Sequence, residues 1–316
     1  AQCSFTIGHK PSTLSSSDIT RVLSHTDLNQ MWQRDLRPLL VSRYPNSAGS
    51  LAVHQHIKST LGSLRAGWDV KEDTFESLTP YGPMTFNNII ATLNPSAKRR
   101  LVLACHYDSK YYPPQWHGRQ FLGATDSAVP CLKTLKESNP NLSLQLLFFD
   151  GEEALFQWTA TDSLYGSRDS ISSSPPPFVF PLPHDLFVLL DLIGGPSPRF
   201  GNQFPNTARW LTRMQNIGER PSKLHYFWPG MPVGPVQDDH MPFLNRGKLT
   251  HNTLGLTPVC TSSISSPPPS PVWYTFDDNE QNLDRSTIVN LNKILQVFVL
   301  EYLNTKPQAL NPQNTP

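Results

Sequence analysis

The sequence predicts a single α/β domain of three layers, with a central, mostly parallel sheet flanked by helices. Strand-like segments alternate with helical patterns along most of the chain, which is the order that builds a parallel sheet with helices on both faces. Two segments, 144–149 and 185–193, are nearly continuous apolar runs, as expected of strands that are covered on both faces. No second pattern marks an internal domain boundary.

The composition limits the partners that the chain can have. It has 316 residues, enough for one large domain or two small ones, and a formal net charge of +1. A near-neutral chain gives no reason to expect nucleic acid or an anionic membrane surface as a partner. No apolar stretch reaches the roughly 20 residues of a membrane span. We therefore expect neither a nucleic acid partner nor a membrane span.

The first part of the domain is predicted to contain two helices and three strands. Apolar residues recur at helical spacing over 27–41, and Pro45 lies beyond the end of that pattern. A second helix is expected over 50–66, closed by Gly67. Strand-like segments follow at 68–78, 85–93 and 100–107. Turn residues at 80–83 join the first two of these strands as a hairpin.

The second part continues the alternation of helices and strands. A short crossover helix over 127–136 is expected to return the chain to the central strand. The next apolar strand ends at a carboxylate, Asp191, and a helix is expected over 205–217. The last helix begins after Asp284, which can cap it, and its apolar residues recur every three and four positions.

The chain ends and two tracts rich in serine and proline are predicted to lie outside the core. The tracts 170–177 and 263–269 cannot continue a helix or bury apolar surface, so we expect exposed loops there. We divide the chain into an N-terminal extension (1–26), one domain (27–303) and a disordered tail (304–316).

Polar groups follow three of the predicted strands. They are the segments Cys105–Asp108 and Asp150–Glu153 and the residue Asp191, together with Gly123–Asp126 on a loop between the first two. In open α/β sheets the ligand crevice lies beyond the carboxyl ends of the strands. Histidine, aspartate and glutamate from separate strand ends are what a hydrolytic zinc site needs. One of the adjacent glutamates, Glu152 and Glu153, can bind the metal while the other acts as a general acid or base.

Six segments carry a more specific resemblance. They are LVLACHYDSK at 101–110, GATDSAVPC at 123–131, FFDGEEA at 148–154, DSLYGSR at 162–168, VQDDHMPFL at 236–244 and DDNE at 277–280. In this order they resemble the animal glutaminyl-peptide cyclotransferase family, also called glutaminyl cyclases, and the likeness runs from about Met31 to Leu303. That family is similar in fold to the zinc aminopeptidases. It binds a single zinc ion and converts an N-terminal glutamine into pyroglutamate with release of ammonia.

The resemblance implies roles for the acidic residues at the strand ends. It makes Asp126 and Glu153 ligands of one zinc ion (Zn2+) per chain. It makes Glu152 the general acid/base that takes a proton from the attacking amine and passes it to the departing ammonia. Asp191 and Asp238 become a hydrogen-bonded acidic pair that supports Glu152. Residues 27–303 would then be a catalytic domain.

The resemblance also implies a substrate pocket and a disulfide bond. Trp158, Gln237 and Trp273 match positions that line the pocket of the family, whose substrates are peptides and proteins with an N-terminal glutamine. The count and spacing of the four cysteines predict no disulfide framework, but the family pairs the positions of Cys105 and Cys131. That pair implies an oxidising compartment, so we expect a protein that is secreted or lies in the lumen of the secretory pathway. We expect it to be monomeric.

The sequence departs from the family at two histidine positions. Tyr274 stands at the third zinc-ligand position, and Thr261 replaces a histidine that lines the active site, unless His251 reaches the same place. A phenol with an ordinary pKa of about 10 must lose its proton to bind zinc as an anion, whereas imidazole binds as a neutral donor. Weak zinc binding is the expected result, unless Tyr274 binds as a phenolate or His106 takes its place, as the matching histidine does in two-metal aminopeptidases.

The sequence as a whole favours a zinc-dependent acyltransferase of the glutaminyl cyclase kind. Two alternatives stay open. One is a catalytically impaired homologue that only binds peptide N-termini, and the other is a zinc aminopeptidase.

Overall fold

The computed structural model describes residues 11–24, 27–64, 66–97, 99–113, 115, 118–131, 142–172, 186–222, 224–232, 236–245, 253–256 and 272–304. Within these residues, six strands form a central sheet and two form a small separate sheet. In chain order the strands are β1 (Asp69–Thr79), β2 (Gly82–Thr92), β3 (Arg99–His106), β4 (Leu142–Phe149), β5 (Leu186–Leu190), β6 (Phe200–Asn202), β7 (Phe227–Pro232) and β8 (Thr253–Leu256).

The central sheet is mixed, with four parallel strands side by side. Its spatial order is β1-β2-β4-β3-β5-β8. β1 and β2 form the predicted antiparallel hairpin, in which Thr79 pairs with Gly82, and β2 runs antiparallel to β4. β4, β3, β5 and β8 run parallel to one another. The carboxyl ends of β3, β4 and β5 therefore meet at one edge of the sheet.

Helices cover both faces of this sheet. They are α1 (Ser16–Ser24), α2 (Leu28–Gln30), α3 (Ala48–Ser63), α4 (Tyr165–Ser172), α5 (Ala208–Ser222), α6 (Met241–Asn245) and α7 (Arg285–Leu303). Val53 of α3, Met214 of α5 and Phe298 of α7 lie in the larger core cluster, on one face. Ile171 of α4 and Phe243 of α6 lie in a second cluster, with the alternate residues of the strands. The predicted three-layer α/β domain is confirmed.

The last helix begins where the sequence predicts. The side chain of Asp284 accepts a hydrogen bond of 2.6 Å from the backbone N–H of Thr287, as an N-cap does.

None of the helices that the structure describes combines the length and the apolar character needed to cross a membrane.

The segment predicted as one helix over 27–41 is helical, but it is not a single regular α-helix. Only α2 is α-helical, and the chain continues as a π-helical segment at Met31–Leu36 and a 3₁₀ turn at Arg37–Leu39. Pro38 explains the break, because it has no N–H to donate to a preceding carbonyl and its ring crowds the previous turn. The sequence periodicity does not distinguish these forms of helix.

The crossover helix, the two Ser/Pro tracts and the tail fall wholly or partly outside the described residues. Of the crossover helix 127–136, the structure describes only the start, a short π-helical segment at Ala124–Ala128 that begins earlier. Of the first Ser/Pro tract, residues 170–172 belong to α4, so the expected loop is wrong there. The hydroxyls of Ser170 and Ser172 donate to carbonyls one turn back, which keeps the helix polar groups paired. The tract 263–269 and residues 305–316 lie outside the described part.

The segment before α1 contacts the last helix. The backbone N–H groups of Ser12 and Leu14 donate to the carbonyl and the carboxylate of Glu301, at 3.1 and 3.0 Å. Glu301 is fully buried and pairs with Arg213 of α5 at 2.6 Å. The division into an extension (1–26), a domain and a tail stays a prediction.

Candidate active site

The edge of the sheet beyond β3, β4 and β5 gathers buried acidic groups around one histidine. β3 ends at His106, β4 leads through Gly151 to Glu152 and Glu153, and β5 leads to Asp191. All four titratable side chains are buried. Gly151 has a φ of +68°, and a Cβ at this position would lie 2.5 Å from the ring of Phe86. A glycine is therefore required in the turn that delivers the two glutamates.

Asp108 fixes the main chain of these two glutamates. Its carboxylate oxygens accept hydrogen bonds from the backbone N–H groups of Glu152 and Glu153, at 3.1 and 3.2 Å. Asp108 is fully buried. The connection holds the strand end of β3 to that of β4.

Asp126 is placed by a second buried carboxylate. Asp278 accepts hydrogen bonds from the backbone N–H groups of Thr125, at 2.7 Å, and of Asp126, at 3.1 Å. The indole N–H of Trp273 donates to Oδ2 of Asp126 at 3.1 Å. The loop that carries Asp126 is thus held to the segment that carries Trp273.

His106 lies among three aspartates. Its Nδ1 is 3.2 Å from Oδ1 of Asp108, and its Nε2 is 3.1 Å from Oδ1 of Asp126 and 3.3 Å from Oδ1 of Asp191. Burial by itself would lower the pKa of His106, but the charge of Glu152 and the hydrogen bonds to these aspartates raise it well above its usual value. Ligand atoms of His106, Asp126 and Asp191 all lie within 4.8 Å of one another, so these three residues could hold a metal ion.

Tyr274 is hydrogen-bonded to Glu153. Its hydroxyl donates to Oε2 of Glu153 at 2.9 Å, and Nζ of Lys110 lies 3.2 Å from the same oxygen. The Lys110 ammonium also lies 4.2 Å from the centre of the Tyr274 ring, and Trp273 stacks on that ring with centroids 4.4 Å apart. Burial and the neighbouring carboxylates, Glu153 foremost, raise the pKa of Tyr274. Tyr274 is therefore a neutral phenol.

Glu152 and Glu153 hold their protons more tightly than ordinary carboxylates. Burial, together with the charge of Asp126, raises the pKa of Glu153 to about 8. Burial raises the pKa of Glu152 well above its usual value, and Glu153 and Asp238 add to the shift while His106 opposes it. A group whose pKa is raised towards neutrality can both give and take a proton, which suits general acid/base work.

Two of the residues predicted for the substrate pocket, Trp158 and Gln237, lie on two loops that contact each other. The indole N–H of Trp158 donates to Oε1 of Gln237 at 2.7 Å, which joins these loops. The next residue, Asp238, is buried, and burial and the charge of Asp191 raise its pKa well above normal. The hydrogen bond expected between Asp191 and Asp238 stays a prediction.

Cys105 and Cys131 form a disulfide bond, with their Cα atoms 5.6 Å apart. The bond joins β3 to the segment that follows Asp126. The predicted pair is confirmed.

Comparison with known proteins identifies the family. A model described as peptidase family M28 matches residues 88–299. The chain is 51% identical to glutaminyl-peptide cyclotransferase of Bos taurus, over 94% of this chain and 88% of that protein. It is 50% identical to the enzyme of the same name from Gloydius blomhoffii, over 94% and 87% of the two chains. The chain belongs to the glutaminyl-peptide cyclotransferase family.

Solved structures agree with membership of the glutaminyl-peptide cyclotransferase family. The chain is similar to the crystal structure of Macrostomum lignano glutaminyl cyclase, with a TM-score of 0.79 and 30% identity over 96% of this chain and 97% of that one. A zinc-dependent exopeptidase from Parabacteroides distasonis has the same fold, with a TM-score of 0.71 and 19% identity over 87% and 98% of the two chains. The predicted likeness to zinc exopeptidases in fold is confirmed.

Two sets of donor atoms at this strand edge could hold a metal ion. The ligand set that the resemblance implies is Asp126, Glu153 and Tyr274. In this set Tyr274 is a phenol that keeps its proton, and the Lys110 ammonium lies beside Glu153. Yet Oε1 of Glu153 is buried and has no hydrogen-bond partner in the described part of the chain, as expected of an oxygen that awaits a cation. His106, Asp126 and Asp191 supply an imidazole and two carboxylates, which are zinc ligands. The residues fit a metal, and the imidazole set supplies the better donor once His106 has lost the proton that its raised pKa retains.

Three residues that position the site were not assigned by sequence reasoning. Asp108 and Asp278 lie inside motifs that carry the resemblance, so an acidic residue two positions after His106 was an available signal. Arg43 had no such signal. It is fully buried and donates to the carbonyls of Tyr107, at 2.7 Å, and Gly123, at 2.9 Å. Thr261 lies outside the described residues.

Proposed function

We propose that this chain converts the N-terminal glutamine of peptides and proteins into pyroglutamate with release of ammonia. The observation that carries the proposal is the 50 to 51% identity to glutaminyl-peptide cyclotransferases over 94% of the chain. The buried Glu152 at the shared strand edge, with a raised pKa, supports it.

Glu152 moves the proton in this reaction. The α-amine of the substrate attacks the carbon of its own side-chain carboxamide, so a C–N bond forms and the bond to the departing nitrogen breaks. Glu152 takes the proton from the attacking nitrogen and delivers it to the leaving nitrogen, which departs as ammonia. Because the attack is intramolecular, the site chiefly has to hold the reacting atoms close and aligned.

The acidic residues near Glu152 tune and orient it. We propose that Asp191 and Asp238 support Glu152, since the charge of Asp238 contributes to its raised pKa. Asp108 holds the Glu152 main chain, so the direction of the carboxyl group is set before substrate arrives. We assign the substrate pocket to Trp158, Gln237 and Trp273, since Trp158 is hydrogen-bonded to Gln237 and Trp273 to Asp126 of the acidic cluster.

We propose one zinc ion per chain, with Asp126 among its ligands. When bound there, zinc would supply a Lewis acid for the side-chain carbonyl. His106 and Asp191 complete the set that the donor chemistry favours, while Glu153 and Tyr274 complete the set that the resemblance implies. Zinc content of Asp191→Asn and Glu153→Gln separates these sets, because only one of the two variants should lose the metal.

The family resemblance also suggests where the protein acts and that it acts as a single chain. We propose a secreted protein or one of the secretory-pathway lumen, since the Cys105–Cys131 disulfide persists in an oxidising environment. We propose that it acts as a monomer.

Ammonia release from a short peptide that begins with glutamine tests the function, with metal content measured on the same sample. Glu152→Gln should lower the rate by about 10²- to 10⁴-fold, because it removes the general acid/base. Glu76→Gln, an exposed glutamate of β1, serves as the control and should leave the rate unchanged. Release that persists in Glu152→Gln would contradict the proposed role.

A second candidate is a homologue that binds peptide N-termini without turnover. It is favoured by the proton that Tyr274 donates to Glu153 and by the Lys110 ammonium beside the same carboxylate. A folded, zinc-free wild-type chain that binds the glutamine peptide but releases no ammonia would establish it. Release of free amino acids from other peptides would instead indicate an aminopeptidase.

A further inference from the structure

The loop between β4 and α4 starts and ends on the main chain of the catalytic segment. The backbone N–H of Leu164 donates to the carbonyl of Glu152 at 2.8 Å, and that of Tyr165 donates to the carbonyl of Gly151 at 2.7 Å. Residues 152–164 therefore form a closed loop whose two ends meet beside Glu152. A shift of this loop would therefore act on the main chain of Gly151 and Glu152.

The carboxylate of Asp162 occupies the inside of this loop. Its Oδ1 accepts from the backbone N–H of Leu155 at 2.9 Å and from the hydroxyl of Tyr165 at 2.8 Å. Its Oδ2 accepts from the backbone N–H groups of Phe156, at 3.0 Å, and Gln157, at 2.8 Å. Three consecutive amides thus converge on one buried carboxylate. Burial alone would raise the pKa of Asp162, but these hydrogen bonds lower it.

Packing does little to hold the same three residues. Phe156 is 75% exposed, and Gln157 is also exposed. Only Leu155 is buried, in a small cluster with Tyr165. The conformation of this stretch is therefore set by hydrogen bonds to Asp162 and not by a core of its own.

The stretch leads directly into Trp158. The indole N–H of Trp158 reaches Gln237, which precedes Asp238. A continuous set of contacts thus runs from Asp162 through the loop main chain to Trp158 and on to the second loop of the proposed pocket. Asp162 touches none of the groups proposed to react.

We propose that Asp162 is a positioning residue for substrate binding, which fixes Leu155–Gln157 by its three amide hydrogen bonds and thereby presents the Trp158 indole to the peptide. The inference rests on the proposed function. Asp162 sets the affinity for the peptide, whereas Glu152 sets the rate of the proton transfer.

Asp162→Asn is the sharpest variant. Whichever way the asparagine amide turns, its NH2 replaces one acceptor oxygen, so at least one backbone N–H of the stretch loses its partner. The expected result is a rise of about tenfold in KM for a glutamine peptide with kcat within about twofold of wild type. Tyr165→Phe is the matched control, because it removes only the hydroxyl donor and leaves all three hydrogen bonds that the backbone N–H groups donate to Asp162. Its KM should stay near that of wild type.

Hydrogen exchange of the backbone amides tests the same inference without turnover. In wild type, the amides of Leu155–Gln157 should exchange slowly although the side chain of Phe156 is exposed, and this measurement needs no variant. Asp162→Asn should speed exchange in this stretch and leave β4 unaffected. Calorimetry with the glutamine peptide should show the same tenfold loss of affinity.

Each outcome decides between the alternatives. Fast exchange of this stretch in wild type overturns the inference, as does an Asp162→Asn chain with unchanged KM, or with a lower kcat and unchanged KM. An equal rise in KM in Tyr165→Phe also overturns it, because it would indicate a general effect of packing. A wild-type chain that neither binds nor turns over the glutamine peptide contradicts the proposed function instead, while slow exchange at Leu155–Gln157 would still support the anchoring by Asp162.

Discussion

The hydroxyl of Tyr274 donates a hydrogen bond to Glu153, a carboxylate that the family resemblance assigns to zinc. The phenol thus satisfies an oxygen that would otherwise face a cation, and Lys110 adds a positive charge beside it. In this chain the side chain at the expected third ligand position is a neutral phenol that donates a hydrogen bond to Glu153, and it offers no imidazole nitrogen to a metal. In the ligand set that the resemblance implies, this relationship weakens the binding of a metal.

Tyr274→His should raise zinc retention about tenfold or more, because it replaces a neutral phenol with an imidazole donor. Cyclisation should rise with it if metal occupancy limits the rate. The measurement is metal content after dialysis, together with ammonia release. Tyr274→Phe is the control, since it removes the hydroxyl without adding a ligand and should not increase zinc. Equal zinc in the histidine variant and wild type would show that Tyr274 is not at a ligand position.

Replacing Cys105 and Cys131 together by alanine should lower the free energy of unfolding by about 3 kcal/mol, because the disulfide no longer restricts the unfolded chain. The two cysteines are 26 positions apart in the sequence. Denaturant unfolding of the variant and of the oxidised wild type measures the difference. Wild type treated with a reducing agent should match the variant, and a variant as stable as oxidised wild type would contradict the expectation.

His240 should make the protein less stable on mild acidification. The residue is buried, and burial lowers its pKa to about 4. Between this value and an unfolded-state pKa of about 6.5, only the unfolded chain takes up the proton. The contribution of His240 is therefore fully present above pH 6.5 or so and is lost as the pH falls through about 4.

His240→Gln should flatten the pH dependence of stability over this window, by roughly 3 kcal/mol in total. The measurement is unfolding by denaturant at several pH values for both chains. Asp238 and Asp239 remain in both, so their titration cancels to first order in the comparison. A variant with the same pH dependence as wild type would show that His240 is not buried in its neutral form.

Gly151→Ala should destabilise the protein and slow the reaction. The left-handed backbone costs an alanine about 1 to 2 kcal/mol, and the new methyl group would meet the ring of Phe86. Gly67→Ala is the matched control, because Gly67 has a similar φ of +75° and nothing within 4 Å of the added Cβ. The difference in unfolding free energy between the two variants measures the clash. Equal losses would mean that Phe86 moves aside freely.

The sequence predicts the sheet and its flanking helices because apolar periodicity reports burial directly. It also places Glu152, Glu153 and Asp191 at one edge, since the carboxyl ends of neighbouring parallel strands must meet there. It does not predict the π-helical form of Met31–Leu36, because π, α and 3₁₀ segments bury similar faces.

The residues that orient the site are harder to recognise from sequence. Asp108, Asp278 and Arg43 act through main-chain hydrogen bonds to partners as much as 153 positions away. No local pattern encodes such partners. A carboxylate that binds amides therefore looks the same in sequence as one that binds a metal or moves a proton.

The contact between the first described residues and Glu301 has a consequence for resistance to proteases. Ser12 and Leu14 supply two of the hydrogen bonds that Glu301 accepts, and the remaining charge is balanced by Arg213 and Arg220. Cleavage after Leu14 would leave a buried carboxylate with fewer donors and would expose the surface where α5 meets α7. Trimming at this point should therefore speed digestion of α7, so that residues 11–14 protect the last helix.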